Sequence, residues 1–146
     1  MTGFTLALSD TADSALQAVI SDGLSSYNGE MGGARDRKPL TIAIKGEDGA
    51  PIGGLLGRTS MGLLFIDLFY LPKELRRSGL GSHILKMAED EARARGCSAG
   101  VLYTVSFQAP DFYKRHGWTV MGEVAPSTGA ARVFLTKVLD QSAAAA

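Results

Sequence analysis

The sequence predicts a single α/β domain, and three observations carry that reading. Short apolar or alternating runs, punctuated by Gly, Pro and Asp-Gly turns, recur between residues 40 and 138 and mark strands. Other stretches place apolar residues at i, i+3 and i+4, the spacing of amphipathic helices. The length, 146 residues, fits one domain large enough for a real core.

Taken in order, Thr5-Leu6-Ala7-Leu8-Ser9 alternates as a first strand, and Ser9, Asp10 or Thr11 is expected to cap the helix that follows. From Ala12 to Leu24, residues Leu16, Val19, Ile20 and Leu24 fall on one helical face. The polar, glycine-rich stretch 28–38 reads mainly as loop. Leu40 to Lys45 alternates as a strand, Glu47-Asp48-Gly49 turns into a strand over 51–58, and Ser60-Met61-Gly62 turns into another over 63–71. A helix over 79–95 carries the apolar stripe Leu80, Ile84, Ala88 and Ala92, with Gly96 as its stop. Ser98–Val105 is a strand, Ala109–His116 a short helix, and 118–124 and 132–138 the last two strands. Residues 1–140 thus form the domain and 141–146 a flexible C-terminal tail.

Composition narrows the function. Fifteen Lys and Arg balance fifteen Asp and Glu, so no global field draws the chain to nucleic acid. No apolar run approaches the ~20 residues of a membrane span, and no secretory pattern opens the chain. The single Cys97 allows no internal disulfide, suits a reducing, cytoplasmic setting, and sits where buried filler is expected. His83 and His116 are isolated, so no metal site is expected.

The most informative segment joins the strand at 63–71 to the long helix. Arg76-Arg77-Ser78-Gly79-Leu80-Gly81-Ser82 places glycines where the first backbone amides of a helix lack internal partners. The glycines let a phosphate approach the backbone, and Arg76 and Arg77 add forked, permanently charged donors. The expected ligand is an anion of diphosphate size. No Gly-x-x-x-x-Gly-Lys-Ser/Thr run is present, and the third glycine of a dinucleotide fingerprint is replaced by Ile84.

What remains is Gln/Arg-x-x-Gly-x-Gly/Ala, matched by Arg76, Gly79 and Gly81, followed downstream by Ala109-Pro110-Asp111-Phe112-Tyr113 and Gly117-Trp118. The two motifs, in this order, resemble the coenzyme A loop and the later Ala-x-x-Phe-Tyr-x-x-x-Gly-Phe motif of the GCN5-related N-acetyltransferases (GNAT). Small bacterial members are the most similar. The resemblance implies a mixed, mostly antiparallel central sheet of six to seven strands flanked by about four helices, in the order β-α-β-β-β-α-β-α-β-β. It implies acetyl-CoA as cosubstrate and transfer of the acetyl group to a primary amine by direct attack in a ternary complex.

Residue by residue, the resemblance puts the pantetheine arm against the backbone of Phe69, Tyr70 and Leu71, and the pyrophosphate on the 76–82 loop. Tyr113 would give a proton to the departing sulfur, since a phenol with an ordinary pKa near ~10 keeps its proton at neutral pH. Asp67, a carboxylate in an apolar strand, would take the amine's proton, or else pair with an arginine such as Arg58. Period-2 counting sets Asp67 on the face of Phe65 and Phe69. Ser106 stands where many members have a cofactor-contacting asparagine, followed by Phe107 and Gln108. Trp118 replaces a phenylalanine and reads as core, and His116 as a solvent-facing residue at a helix end. The acceptor, a small molecule or peptide, is expected near the 28–38 loop and the Ser60 turn, with Glu30 and Asp36 as candidate amine contacts. The resemblance also suggests a homodimer. A second reading is a non-catalytic CoA-binding module of the same fold; a third is a regulatory domain for another phosphate ligand, disfavoured by the absent nucleotide motifs.

Overall fold

A computed structural model describes residues 3–33, 36–106 and 109–140. The chain divides into two units, residues 1–35 and 36–146. The first contains α1 (Ser14–Glu30). Its cap is Asp13, whose Oδ1 accepts from the Leu16 amide at 3.1 Å, rather than Ser9, Asp10 or Thr11; Ser9 Oγ instead accepts from the Thr11 amide. The helix also runs six residues past Leu24, taking in part of the expected loop. The expected strand at 5–9 is absent: the segment is irregular, with Leu6 and Leu8 exposed. Alternation specifies a strand only where a neighbour supplies a ladder, and no ladder among the described residues includes it.

The second unit holds a six-stranded sheet, β1 (Lys38–Lys45), β2 (Pro51–Ser60), β3 (Leu63–Tyr70), β4 (Ala99–Val105), β5 (Thr119–Val124) and β6 (Arg132–Val138). With them come α2 (Leu80–Ala94), α3 (Pro110–Arg115) and a 3-10 turn at Lys73–Leu75. The spatial order is β1-β2-β3-β4-β6-β5, antiparallel throughout except for the parallel β3–β4 pair. The mixed, mostly antiparallel sheet expected from the sequence is therefore present, with six strands and three α-helices among the described residues.

The core lies where α2 and α3 meet the sheet. Ile84, Leu85, Ala88 and Ala92 of α2 are buried with Leu55, Leu64, Ile66, Leu102, Leu135 and Trp118. This is the stripe read from the sequence, widened by Leu85 and Glu89, while Leu80 at the helix edge is only half-buried. Cys97 is buried filler, its thiol pKa raised chiefly by burial. Trp118 is core as expected, and a Cβ on Gly100 would come within 2.7 Å of its ring.

Candidate active site

Two irregularities in β3 build the site. The first is a bulge. Gly57 pairs with Ile66 and Leu56 with Leu68, which leaves Asp67 as an extra residue in β3. Gly57 permits it, because a Cβ there would sit 2.4 Å from the Phe65 carbonyl oxygen. The second is a splay. The β3–β4 ladder ends at Ile66↔Leu102, although both strands continue. Past that point a notch of about 210 Å³ opens, lined by both strands and by Tyr113 of α3. The β4-facing edge of β3 beyond Ile66, leading to Phe69, Tyr70 and Leu71, has no strand partner in that ladder.

The bulge corrects the strand-face count. Leu64 and Ile66 face the core; beyond Asp67 it is Phe69 that packs on the core, edge-on to Phe112 at 6.2 Å. Phe65 instead lies under the Arg58 guanidinium, 4.4 Å from its carbon. Asp67 Oδ1 accepts from Arg58 Nη1 at 2.5 Å, so it shares a side with Phe65 but not with Phe69. The arginine pairing named as the alternative for Asp67 is the interaction present. Both partners are substantially exposed, so the pair contributes at most about 1 kcal/mol.

The loop expected to hold an anion follows β3 at the same end of the sheet as the notch. Gly79 caps α2 at φ +84, a left-handed conformation with open space where a side chain would be, and Arg77 adopts φ +63. The first bond back from α2 is His83 N–H to the Gly79 carbonyl. Among the described residues nothing accepts from the amides of Arg77, Ser78, Gly79, Leu80, Gly81 or Ser82. Six backbone donors therefore stand at the positive end of a 15-residue helix, an arrangement matched to an anion. Arg76 is partly committed, its Nε bonded to the Leu71 carbonyl at 3.0 Å and its guanidinium 5.9 Å from the Tyr70 ring centre. Ser78 Oγ donates to the Leu75 carbonyl at 2.6 Å and tightens the turn.

Gly81 also has a packing reason to lack a side chain. It is buried, and a Cβ there would sit 3.0 Å from Leu71 Cδ1 and 3.4 Å from Phe112 Cζ. Its missing side chain lets α3 dock on the first turn of α2. That docking brings Tyr113, the residue after Phe112, to the notch. Tyr113 is buried, its ring edge-on to Phe112 and Trp118, and burial pushes its phenol up to about 12.

His116, one residue beyond α3, is half-buried rather than solvent-facing: its Nε2 lies 2.9 Å from Ser82 Oγ and its ring packs on Phe112. Sequence reading missed this contact. A pattern in one segment carries no information on a partner 34 residues away.

Ser106 is exposed at the end of β4, its amide bonded to the Ala131 carbonyl; Phe107 and Gln108 lie outside the described residues. Glu30 ends α1 and is exposed. Asp36 is tied down, its Oδ1 accepting from the Met61 amide at 2.9 Å in the β2–β3 turn. That turn precedes β3, whereas the notch lies at the strand's far end, about 20 Å away at ~3.3 Å per residue. Asp36 and the Ser60 turn are thus remote from the notch.

No group of three or more His, Cys, Asp and Glu suited to a metal ion occurs among the described residues, and no helix there is long and apolar enough to cross a membrane. Residues 11–118 match the acetyltransferase (GNAT) family. An acetyltransferase of Agrobacterium fabrum is 37% identical over 131 residues, covering 89% of this chain and 96% of that protein. The blasticidin-S acetyltransferase of Streptomyces morookaense is 38% identical over 93 residues, covering 61% of this chain and 68% of that one. The crystal structure of a candidate acetyltransferase from Agrobacterium tumefaciens superimposes with a TM-score of 0.81 at 36% identity, covering 92% and 99% of the two chains.

Proposed function

Because this chain belongs to the GNAT family of acetyltransferases, we propose that it moves an acetyl group from acetyl-CoA to a primary amine of a small molecule or peptide, by direct attack in a ternary complex. The observation that carries this reading is the meeting of two features at one end of the sheet. Six unpartnered amides await an anion, and the β3–β4 notch opens beside them. A diphosphate suits the loop, and an extended, amide-bearing arm suits the free edge of β3 through Phe69, Tyr70 and Leu71. Arg77 and the outer nitrogens of Arg76 supply charge, and Ser78, Gly79, Leu80, Gly81 and Ser82 supply backbone donors. Ser106, at the end of β4, is a further candidate contact for the arm.

Tyr113 is the donor toward the sulfur. Asp67, held by Arg58, keeps the bulge in shape, and the amine's proton leaves through water in the notch. Asp67→Asn is accordingly expected to leave the shape of the pH–rate profile unchanged and to cost at most about 1 kcal/mol of stability. Loss of the acidic limb of the profile would instead make Asp67 the general base. The relative that acetylates blasticidin S makes amine-bearing small molecules the first acceptors to try.

The test pairs CoA calorimetry with a thiol-release screen of amines and acetyl-CoA. Binding together with thiol release on one acceptor class is the expected result. Binding without release across the panel points to the non-catalytic CoA module, and absence of binding rejects both readings. A cytoplasmic setting and a homodimer accompany the proposal, the latter checked by sedimentation.

A further inference from the structure

We propose that His116 positions the Ser82 hydroxyl as a donor to the cofactor's pyrophosphate. The inference rests on the acetyl-CoA reading above and adds to it a residue that neither motif contains. Ser82 lies in the first turn of α2 and carries one of the six unpartnered amides. Its hydroxyl is 2.9 Å from His116 Nε2.

That pairing has two states. When Nε2 is bare, the Ser82 hydroxyl donates its proton to the ring and has none to offer elsewhere. When the tautomer places a proton on Nε2, the ring donates to Oγ, and the hydroxyl, which keeps its own proton, can donate it to another acceptor. A phosphate oxygen accepts and never donates, so a bound diphosphate selects the second state. Ser82 then offers two donors, amide and hydroxyl, on one residue.

The ring is fixed in place for this. It packs against the Phe112 ring in a T-shaped pair, with ring centres 4.9 Å apart. Its backbone carbonyl accepts from Lys137 Nζ at 2.7 Å, and Lys137 is itself held by Glu89 Oε1 at 2.6 Å. A histidine serving only as the end of α3 needs no contact with the loop; this one reaches the only side-chain hydroxyl in the first turn of α2.

The test is CoA calorimetry on the unaltered protein, Ser82→Ala, His116→Phe, His116→Gln and the Ser82→Ala/His116→Phe pair, with thermal unfolding of each. His116→Phe keeps the ring volume and is expected to weaken CoA binding about tenfold, the scale of one hydrogen bond to a charged group. His116→Gln, which keeps a side-chain N–H at similar reach, is expected to recover most of that loss. The double variant should bind no more weakly than either single one, because both remove the same donor. Additive losses, or unchanged binding with a lowered melting temperature, would make His116 a structural latch and overturn the proposal. If the unaltered protein binds no CoA, the functional reading falls with it; if it binds and His116→Phe binds equally, only this inference falls.

Discussion

Glu89→Ala is expected to destabilise the protein by about 3 kcal/mol or more, the range for removing one partner of a buried ion pair. Glu89 lies on the inner face of α2 and is buried. Its Oε1 accepts from Lys137 Nζ at 2.6 Å, with Arg93 Nη2 at 3.6 Å, and its Oε2 accepts from Trp118 Nε1 at 3.1 Å. One carboxylate thus serves two cations and an indole drawn from α2, β6 and the segment after α3. Alanine would leave the Lys137 ammonium with the His116 carbonyl as its remaining partner, and the buried Trp118 N–H with none. Each unsatisfied buried group adds a desolvation cost. Denaturant unfolding at constant m-value measures the loss. Glu89→Gln, which retains an acceptor for either partner, should lose less. A loss below about 1 kcal/mol in the alanine variant would show that water replaces the network.

The same network shows where sequence reading stops. The glycine loop was legible because its chemistry is local: Gly79 needs a left-handed backbone, and the amides of a helix start lack partners wherever that start falls. Tyr113 was legible through the motif around it. Glu89 was not, since on its own helix it reads as one more solvated charge, and its partner Lys137 is 48 residues away. The bulge at Asp67 was illegible for a related reason. Nothing in Leu63–Tyr70 announces an extra residue; it arises in register with β2, where Gly57 allows the close approach of Phe65. Counting by twos therefore carried Phe65 and Phe69 to one face when the bulge sends them to opposite ones. At Gly81 the packing against Phe112 is not legible, because open space for a phosphate and packing space for a ring both call for a missing Cβ. At the N-terminus, Thr5–Ser9 has the alternation of a strand, but among the described residues no ladder includes it.

Tyr113→Phe is expected to lower kcat by about 10²-fold or more, the scale of removing one hydrogen-bond donor to charge that develops in the transition state, while leaving CoA affinity within about twofold. The geometry explains the split. The phenyl ring that packs against Phe112 and Trp118 is retained, so α3 stays docked and the loop amides stay in place. Only the hydroxyl is lost from the notch. Burial raises that phenol to about 12, which guarantees that it carries its proton at neutral pH but also limits how readily it gives the proton up. Against a thiol of pKa ~8.5, complete transfer is uphill by several units. In the proposed reaction the hydroxyl would therefore act first as a hydrogen-bond donor to charge developing on sulfur, with transfer completed from solvent. This predicts a pH–rate profile without an alkaline limb from Tyr113 below about pH 10.

The stability consequence has a definite sign. The folded pKa lies above the unfolded value of ~10, so the folded state favours the protonated phenol. That contribution is complete below about pH 10 and is lost as the pH rises through the folded pKa, about 12. A difference titration of the unaltered protein against Tyr113→Phe, followed by phenolate absorbance, should place the missing step near the upper value. A variant with equal turnover would remove Tyr113 from the chemistry, and an equal drop in kcat and in CoA affinity would reassign it to holding α3 against the loop.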